Sequence, residues 1–326
     1  MKCNMKRFIV FILLTVFGQY VYGHDSLVVM FWNVENFFDH VDQGTGESDR
    51  EFSSYGARHW SKRKFQIKCD DIAKSVLWIA DEYGKMPDVI GLAEVENRWV
   101  LWKLLNNTLL RKYDYKIVHF DSGDRRGIDV ALLYRESVFG KVSHSLTVPV
   151  DGGERMPTRD MLQVCLERGT GQKINLIVCH HPSKYGGAEE SSSRRNAAME
   201  ALRGLCDSLE VADPGVPVVA MGDFNDTPDG EQFSLLEGAL VNMADGLFTE
   251  GYGTIRYQGV WELIDMFMVS EDLVANSEMY ILQIPFLMTY EKKYPGMKPL
   301  RTYSGPRYVG GVSDHCPIVL CIFGGY

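Results

Sequence analysis

The chain has 326 residues, 45% of them hydrophobic and 24% charged, a globular composition that excludes a disordered or low-complexity chain. Its formal net charge of -9 argues against a non-specific nucleic-acid binder, which needs a basic surface, but leaves a phosphate substrate open where a cation mediates. None of the cysteines forms a C-x-x-C pair, and Cys165, Cys179, Cys316 and Cys321 fall in apolar runs, which reads as buried free thiols.

At the start, Lys2, Lys6 and Arg7 precede the apolar run Phe8 to Phe17, and Val21-Tyr22-Gly23 comes next. This order predicts a secretory signal over residues 1–23, its apolar run too short for a stable membrane anchor. Losing Lys2, Lys6 and Arg7 with it would take the net charge from -9 to -12. No linker or repeat divides the rest of the chain, so residues 24–326 are expected to form one domain. Strand-like runs recur in order: Leu27 to Trp32, Val89 to Ala93, Tyr115 to His119, Val130 to Tyr134, Val142 to Val148, Leu162 to Leu166, Ile174 to Cys179, Val218 to Met221, Leu263 to Val269, Met279 to Ile284 and Ile318 to Ile322. Between them Phe65, Cys69, Ile72, Val76, Ala80 and Tyr83 make an apolar stripe at helical spacing. Trp99 to Leu110 and Glu189 to Leu209 are further helical segments. Many strands with fewer helices predict sheet packed on sheet with helices outside.

These strands share a way of ending. Apolar runs give way to Asn33-Val34-Glu35-Asn36, to Glu94-Val95-Glu96-Asn97, to His180-His181-Pro182-Ser183 and to Asp223-Phe224-Asn225. Asp265 stands within an apolar run, and Ser313-Asp314-His315 comes just before the last one. A single polar end is punctuation; Asp223 and Asn225 alone would read as an Asx turn. Repeated, with carboxylates, amides and histidines, such ends predict one convergent polar pocket. Residues two apart share a face of an extended chain, so Asp223 and Asn225 could hold one water between them.

In chain order, "WNVEN", "GLAEVEN", "GIDVALLYR", "GDFND", "LIDMFMVS" and "SDH" resemble the endonuclease/exonuclease/phosphatase family, which includes pancreatic-type deoxyribonucleases, abasic-site endonucleases, bacterial sphingomyelinases and inositol polyphosphate phosphatases. The resemblance covers essentially the whole mature chain. It implies an α/β (α+β) four-layer sandwich, two mixed β-sheets face to face with helices on both outer faces, and hydrolysis of a phosphoester with Mg2+, or with Mn2+ or Ca2+ in its place. It further implies that Glu94 leads the metal ligands, with Asn33 at metal or phosphate, Asp314 as a further ligand and Glu35 as a weaker candidate. By the same resemblance Asp223 orients and deprotonates the attacking water, Asn225 fixes that water or the phosphate, and His315, backed by Asp265, meets the developing charge. His180 is a second phosphate donor, with His181 its rival should the register slip by one. Arg126 is expected to grip phosphate, and Asp129 to face the pocket and orient His180.

The chemistry stands beside the resemblance. Hydrolysing an anionic ester needs a cation on the phosphoryl oxygens, a base for water and donors for developing charge. Magnesium takes oxygen ligands and keeps several waters, so one or two carboxylates suffice. The expectation is an exported enzyme, periplasmic or secreted, acting as a nuclease or phosphodiesterase on a phosphate ester, nucleic acid among the candidates, as a monomer. A phosphatase for small phosphoesters and a non-catalytic exported binding protein are the alternatives.

Overall fold

The structure is a computed structural model that describes residues 26–44, 46–184 and 188–324; the expected signal segment lies outside the described residues. Two six-stranded mixed sheets pack face to face. The first is built from β1 (Leu27–Phe37), β2 (Val89–Val95), β3 (Tyr115–His119), β4 (Asp129–Arg135), β11 (Ser277–Ile281) and β12 (Ile318–Ile322), in the order β11-β12-β1-β2-β4-β3. The second comprises β5 (Phe139–Thr147), β6 (Met161–Arg168), β7 (Lys173–His180), β8 (Val218–Asp223), β9 (Val241–Asn242) and β10 (Asp265–Val269), in the order β9-β10-β8-β7-β6-β5. Most of these strands are legible as apolar runs; β9, two residues long, is not.

The sequence of β1 shows why it forms where it does. Leu27, Val29 and Phe31 enter the core between the sheets, while Val28, Met30 and Trp32 enter a second core on the outer face. A strand covered on both faces must be apolar at consecutive positions, which is the pattern the run shows. The outer core is closed by α1 (Lys62–Glu82) through the stripe Phe65, Cys69, Ile72 and Val76, and by α2 (Arg98–Asn106) through Val100, Leu101 and Leu104. The second sheet is covered by α3 (Ala188–Ala212) through Ala198, Met199, Leu202 and Cys206. Burying each large aliphatic side chain contributes about 1.5–3 kcal/mol, so these layers supply most of the driving force for folding.

Caps fix the helix starts. The Ser61 hydroxyl accepts from Lys64 N, and the Asn97 carboxamide accepts from Trp99 N and Val100 N. Asn97 comes just after the end of β2, so the same residue that starts α2 also turns the chain away from the sheet.

Each sheet has one parallel pair at its centre, β1 with β2 and β7 with β8; its other pairings are antiparallel. The ends of these four strands meet at one edge, where Asn33 Nδ2 donates across the sheets to Asp223 Oδ2 at 3.0 Å. Gly222 permits the close approach of β8 to β7, since a Cβ there would fall on the Cys179 carbonyl. No disulfide joins the described cysteines, which are buried except for the half-buried Cys165. Among the described residues no helix is long and apolar enough to cross a membrane.

Candidate active site

Backbone irregularity aims the side chains at this edge. On β2, Ala93 pairs with Val130 and Val95 with Asp129 of β4, so Glu94 is the extra residue of a β-bulge. It takes a left-handed conformation at φ 61, and Glu35 and Asn36 on the facing bulge of β1 do the same at φ 46 and 51. Left-handed conformations are costly for residues with a Cβ, and clusters of them mark sites whose geometry is over-determined by their surroundings. Asn225 is a fourth, at φ 53.

On the wall formed by the first sheet, carboxylates meet guanidiniums. Glu94 Oε2 accepts from Asn36 N at 2.7 Å, and Glu94 Oε1 lies 3.1 Å from Arg126 Nη2, which also donates to Asn36 Oδ1 at 3.0 Å. Burial works against the Glu94 charge, but Arg126, the Asn36 amide and His315 outweigh it and hold the carboxyl below its ordinary range. Glu35 Oε1 accepts from Arg301 Nε and Nη2 at 2.9 and 2.7 Å, and Oε2 from Thr302 N at 2.8 Å. Arg301 also reaches Asp314 Oδ2 at 3.1 Å. Beneath them the buried Lys68 Nζ donates to the Glu35 carbonyl and to Thr302 Oγ1. Burial lowers the Lys68 ammonium to about 8, against the pull of Glu35, Glu94 and Asp314.

The second sheet presents a row. The register sets Asp223 directly between His180 of β7 and Asp265 of β10, and facing residues on adjacent strands stand about 4.5–5.5 Å apart at Cβ. His180 Nε2 is 3.5 Å from Asp223 Oδ2. Asp265 is the first residue of its strand rather than an interior one, and its Oδ2 is 2.8 Å from His315 Nδ1. The other ring nitrogen, His315 Nε2, lies 3.9 Å from both Asp223 Oδ2 and Asp314 Oδ1. The "SDH" turn holds this ring in place: Ser313 Oγ donates to the Asn33 carbonyl at 2.6 Å and accepts from His315 N at 3.0 Å, while Trp32 Nε1 donates to the His315 carbonyl at 2.9 Å.

Charge on this wall depends on protons. Burial, with Asp265 adding to it, pushes the Asp223 carboxyl up to about 7, although His315, Asn33 and the Asn225 amide pull it down. Burial alone would make His315 neutral, but Asp265, Asp223 and Asp314 raise it well above the ordinary imidazole value. His180 goes the other way: burial, Arg159, Arg126 and His315 hold it well below that value, hence neutral.

Some expected residues stand elsewhere. Asn225 N donates to Asp223 Oδ1 at 3.0 Å, closing an Asx turn, and Asn225 Nδ2 donates to the His181 carbonyl at 3.0 Å. Its left-handed backbone means that it does not continue the extended face of Asp223, so the expectation of one shared face gives way to a turn that presets Asp223. His181 is buried against Phe224 with neither ring nitrogen hydrogen-bonded, and burial with Arg159 and Arg195 lowers it to about 3. Asp129, expected to orient His180, accepts from Ser122 N at 2.8 Å and lies 3.3 Å from His119 Nε2 instead. The reason is parity. Asp129 alternates with Ala131 and Leu133, which pack in the outer core, whereas Val130 and Leu132 face the second sheet from which His180 comes. Glu35, expected as a weaker metal candidate, has both oxygens committed, to Arg301 and to Thr302 N, just as Glu94 has to Arg126 and to Asn36 N. Arg126 is on the site but on Glu94. Unforeseen were Lys68, Arg301 and Asn36. Lys68 had left a signal, a lysine inside the apolar stripe between Phe65 and Ile72.

On the first wall Glu94, held ionised, is the kind of oxygen donor Mg2+ prefers. Asn36 N and Arg126 engage its two oxygens, Glu35 N donates to Asn33 Oδ1 at 3.0 Å and Arg301 pairs with Asp314, so a cation held by Glu94, Asn33 Oδ1 and Asp314 would replace those partners. Asp223, Asp265 and His315 also bring ligand atoms within 4.8 Å of one another. There, however, the His315 Nδ1 contact at 2.8 Å is already a hydrogen bond, and an imidazole suits Mg2+ poorly.

Residues 28–323 match the family model described as Endonuclease/Exonuclease/phosphatase family. No curated protein matches the sequence. Among solved structures, truncated Caenorhabditis elegans TDP2 is 17% identical with a TM-score of 0.56, covering 92% of this chain and 98% of that one. A mannosyl-6-phosphatase of Bacteroides thetaiotaomicron is 15% identical with a TM-score of 0.55, covering 91% and 100%. An endonuclease/exonuclease/phosphatase family protein from the same organism is 16% identical at 0.56, covering 91% and 97%. At these identities the structures share the fold.

Proposed function

The chain belongs to the endonuclease/exonuclease/phosphatase family, and from that premise we propose that it is an exported, Mg2+-dependent phosphoester hydrolase of the nuclease or phosphodiesterase kind. The observation that carries the reading is the row His180, Asp223 and Asp265 with His315 closing over it. Asp223, whose carboxyl changes charge near neutral pH, takes in its ionised form the proton of the attacking water as the new P–O bond forms. His315, charged and steadied by Asp265, faces the phosphoryl oxygens through Nε2 and supplies a proton to the leaving oxygen as its bond to phosphorus breaks. Neutral His180 and Asn33 donate hydrogen bonds. Glu94, with Asn33 Oδ1 and Asp314, would hold the cation. When bound, that cation neutralises phosphoryl charge as a Lewis acid. Export is supported by the charged and then apolar start of the sequence.

One feature favours a monoester phosphatase as the second reading. Arg126, Arg301 and Lys68 concentrate positive charge around Glu94, which suits a dianionic terminal phosphate, and a fold neighbour is a mannosyl-6-phosphatase. Purified chain assayed with and without Mg2+ against plasmid DNA, RNA, bis-p-nitrophenyl phosphate, p-nitrophenyl phosphate, sphingomyelin and inositol phosphates separates the two. Diester turnover exceeding monoester turnover supports the first, the reverse ranking the second, and no turnover on any of them removes both.

A further inference from the structure

We propose that His119, Asp121 and Asp129 form a second cation site, one for a borderline transition metal such as Zn2+ rather than for Mg2+. Their ligand atoms lie within 4.8 Å of one another, and Glu94 is not among them. His119 and Asp129 bracket the connection between β3 and β4, and Asp121 stands two residues into it. β3 pairs His119 with Ala131, so Asp129, two residues before Ala131, is its diagonal neighbour on the same face.

The pair looks unfinished as it stands. The side chains are 2% exposed for His119 and 6% for Asp129, yet His119 Nε2 has no hydrogen-bond partner although Asp129 Oδ2 lies 3.3 Å away. A buried imidazole nitrogen and a carboxylate oxygen at that distance, off the line of a hydrogen bond, have the spacing of two ligands on one ion. Donors roughly 2.1 Å from a cation and subtending about 90–110° stand about 3.0–3.4 Å apart. Asp129 Oδ1 accepts from Ser122 N at 2.8 Å, which fixes the carboxylate as a supporting hydrogen bond fixes a ligand in known metal sites. Asp121 is exposed and brings the third donor from the solvent side, leaving the remaining positions to water. One nitrogen with carboxylate oxygens favours Zn2+ or Co2+ over the hard ions, which take oxygen alone. An ion here would tie together both ends of the segment that carries Arg126 to Glu94. The site is therefore a clamp on the arginine of the first wall, and it stands whether or not the chain hydrolyses phosphoesters.

The test is a Co2+ titration of EDTA-treated, dialysed protein in saturating Mg2+, monitored by the visible ligand-field absorption, with Zn2+ competing. One equivalent of Co2+ should bind, be displaced by Zn2+ and survive Glu94→Gln. Binding should weaken at least tenfold in Asp121→Asn and vanish in His119→Gln. Because Asp121 is exposed, its variant decides the matter even if His119→Gln fails to fold. No Co2+ absorption in wild type, unchanged affinity in Asp121→Asn, or loss of the site in Glu94→Gln would each overturn the proposal.

Discussion

Two buried carboxylates in one pocket, Glu94 and Asp223, are shifted in opposite directions. Glu94 is held below its ordinary range, whereas Asp223 is raised to about 7. Desolvation opposes the charge on both. The difference is the neighbour: Arg126 lies 3.1 Å from Glu94, while the register sets Asp223 beside another carboxylate, Asp265. The first sheet thus presents a wall whose charges are fixed by pairing, Glu94 with Arg126 and Asp314 with Arg301. The second presents a wall whose charges move with protons, suited to acid–base work. One fold edge supplies both because each sheet ends its central parallel pair there.

The largest break in this comparison should come on the proton-dependent wall. His315→Ala and Asp265→Asn are each expected to lower kcat on an activated phosphodiester by about two orders of magnitude or more. The double variant should lose less than the product, since the 2.8 Å pair acts as one unit. Steady-state kinetics that multiplied cleanly, or a fully active Asp265→Asn, would dissolve the dyad.

His181 sharpens the comparison by standing beside the same wall without belonging to it. The unfolded chain binds its proton near pH 6.5, but the folded chain resists until about 3, so stability falls as pH drops through that window. Between pH 7 and pH 5 this costs on the order of 2 kcal/mol. Neutral His180 acts in the same direction. Urea denaturation should show His181→Gln losing less stability than wild type over that interval; an identical loss would mean that the ring is charged or solvated.

A smaller effect is expected on the fixed wall from Glu35. Glu35→Gln should cost about 1–3 kcal/mol, as Arg301 and the Thr302 amide lose a charged acceptor. It should leave Mg2+ affinity within about twofold. A large fall in affinity with unchanged stability would return Glu35 to the metal.

The strand ends are readable because a buried strand shows as an apolar run, and the polar residue that ends it shows by contrast. Glu94, Asp223 and His315 stand out for that reason. Asp129 misleads because being at a strand start says nothing about which face it takes; the parity with Ala131 and Leu133 decides that. Asn225 misleads because a left-handed turn breaks the alternation on which the shared-face expectation relies. Lys68 is readable in principle from its place in the stripe of α1. Arg301 is not: it lies in a connection between the short hairpins Met288–Glu291 with Gly296–Pro299 and Tyr303–Ser304 with Arg307–Tyr308. Its path depends on tertiary packing that no local pattern records.

The division between the walls is tested most directly by calorimetric titration of Mg2+ into wild type, Glu94→Gln and His315→Ala. Loss of the Glu94 charge should weaken Mg2+ by about tenfold or more, since a charged oxygen ligand is the main attraction for a hard ion, while His315→Ala should stay within about twofold of wild type. The reverse pattern, with affinity lost in His315→Ala and kept in Glu94→Gln, would put the cation among Asp223, Asp265 and His315 and contradict the assignment of the two walls.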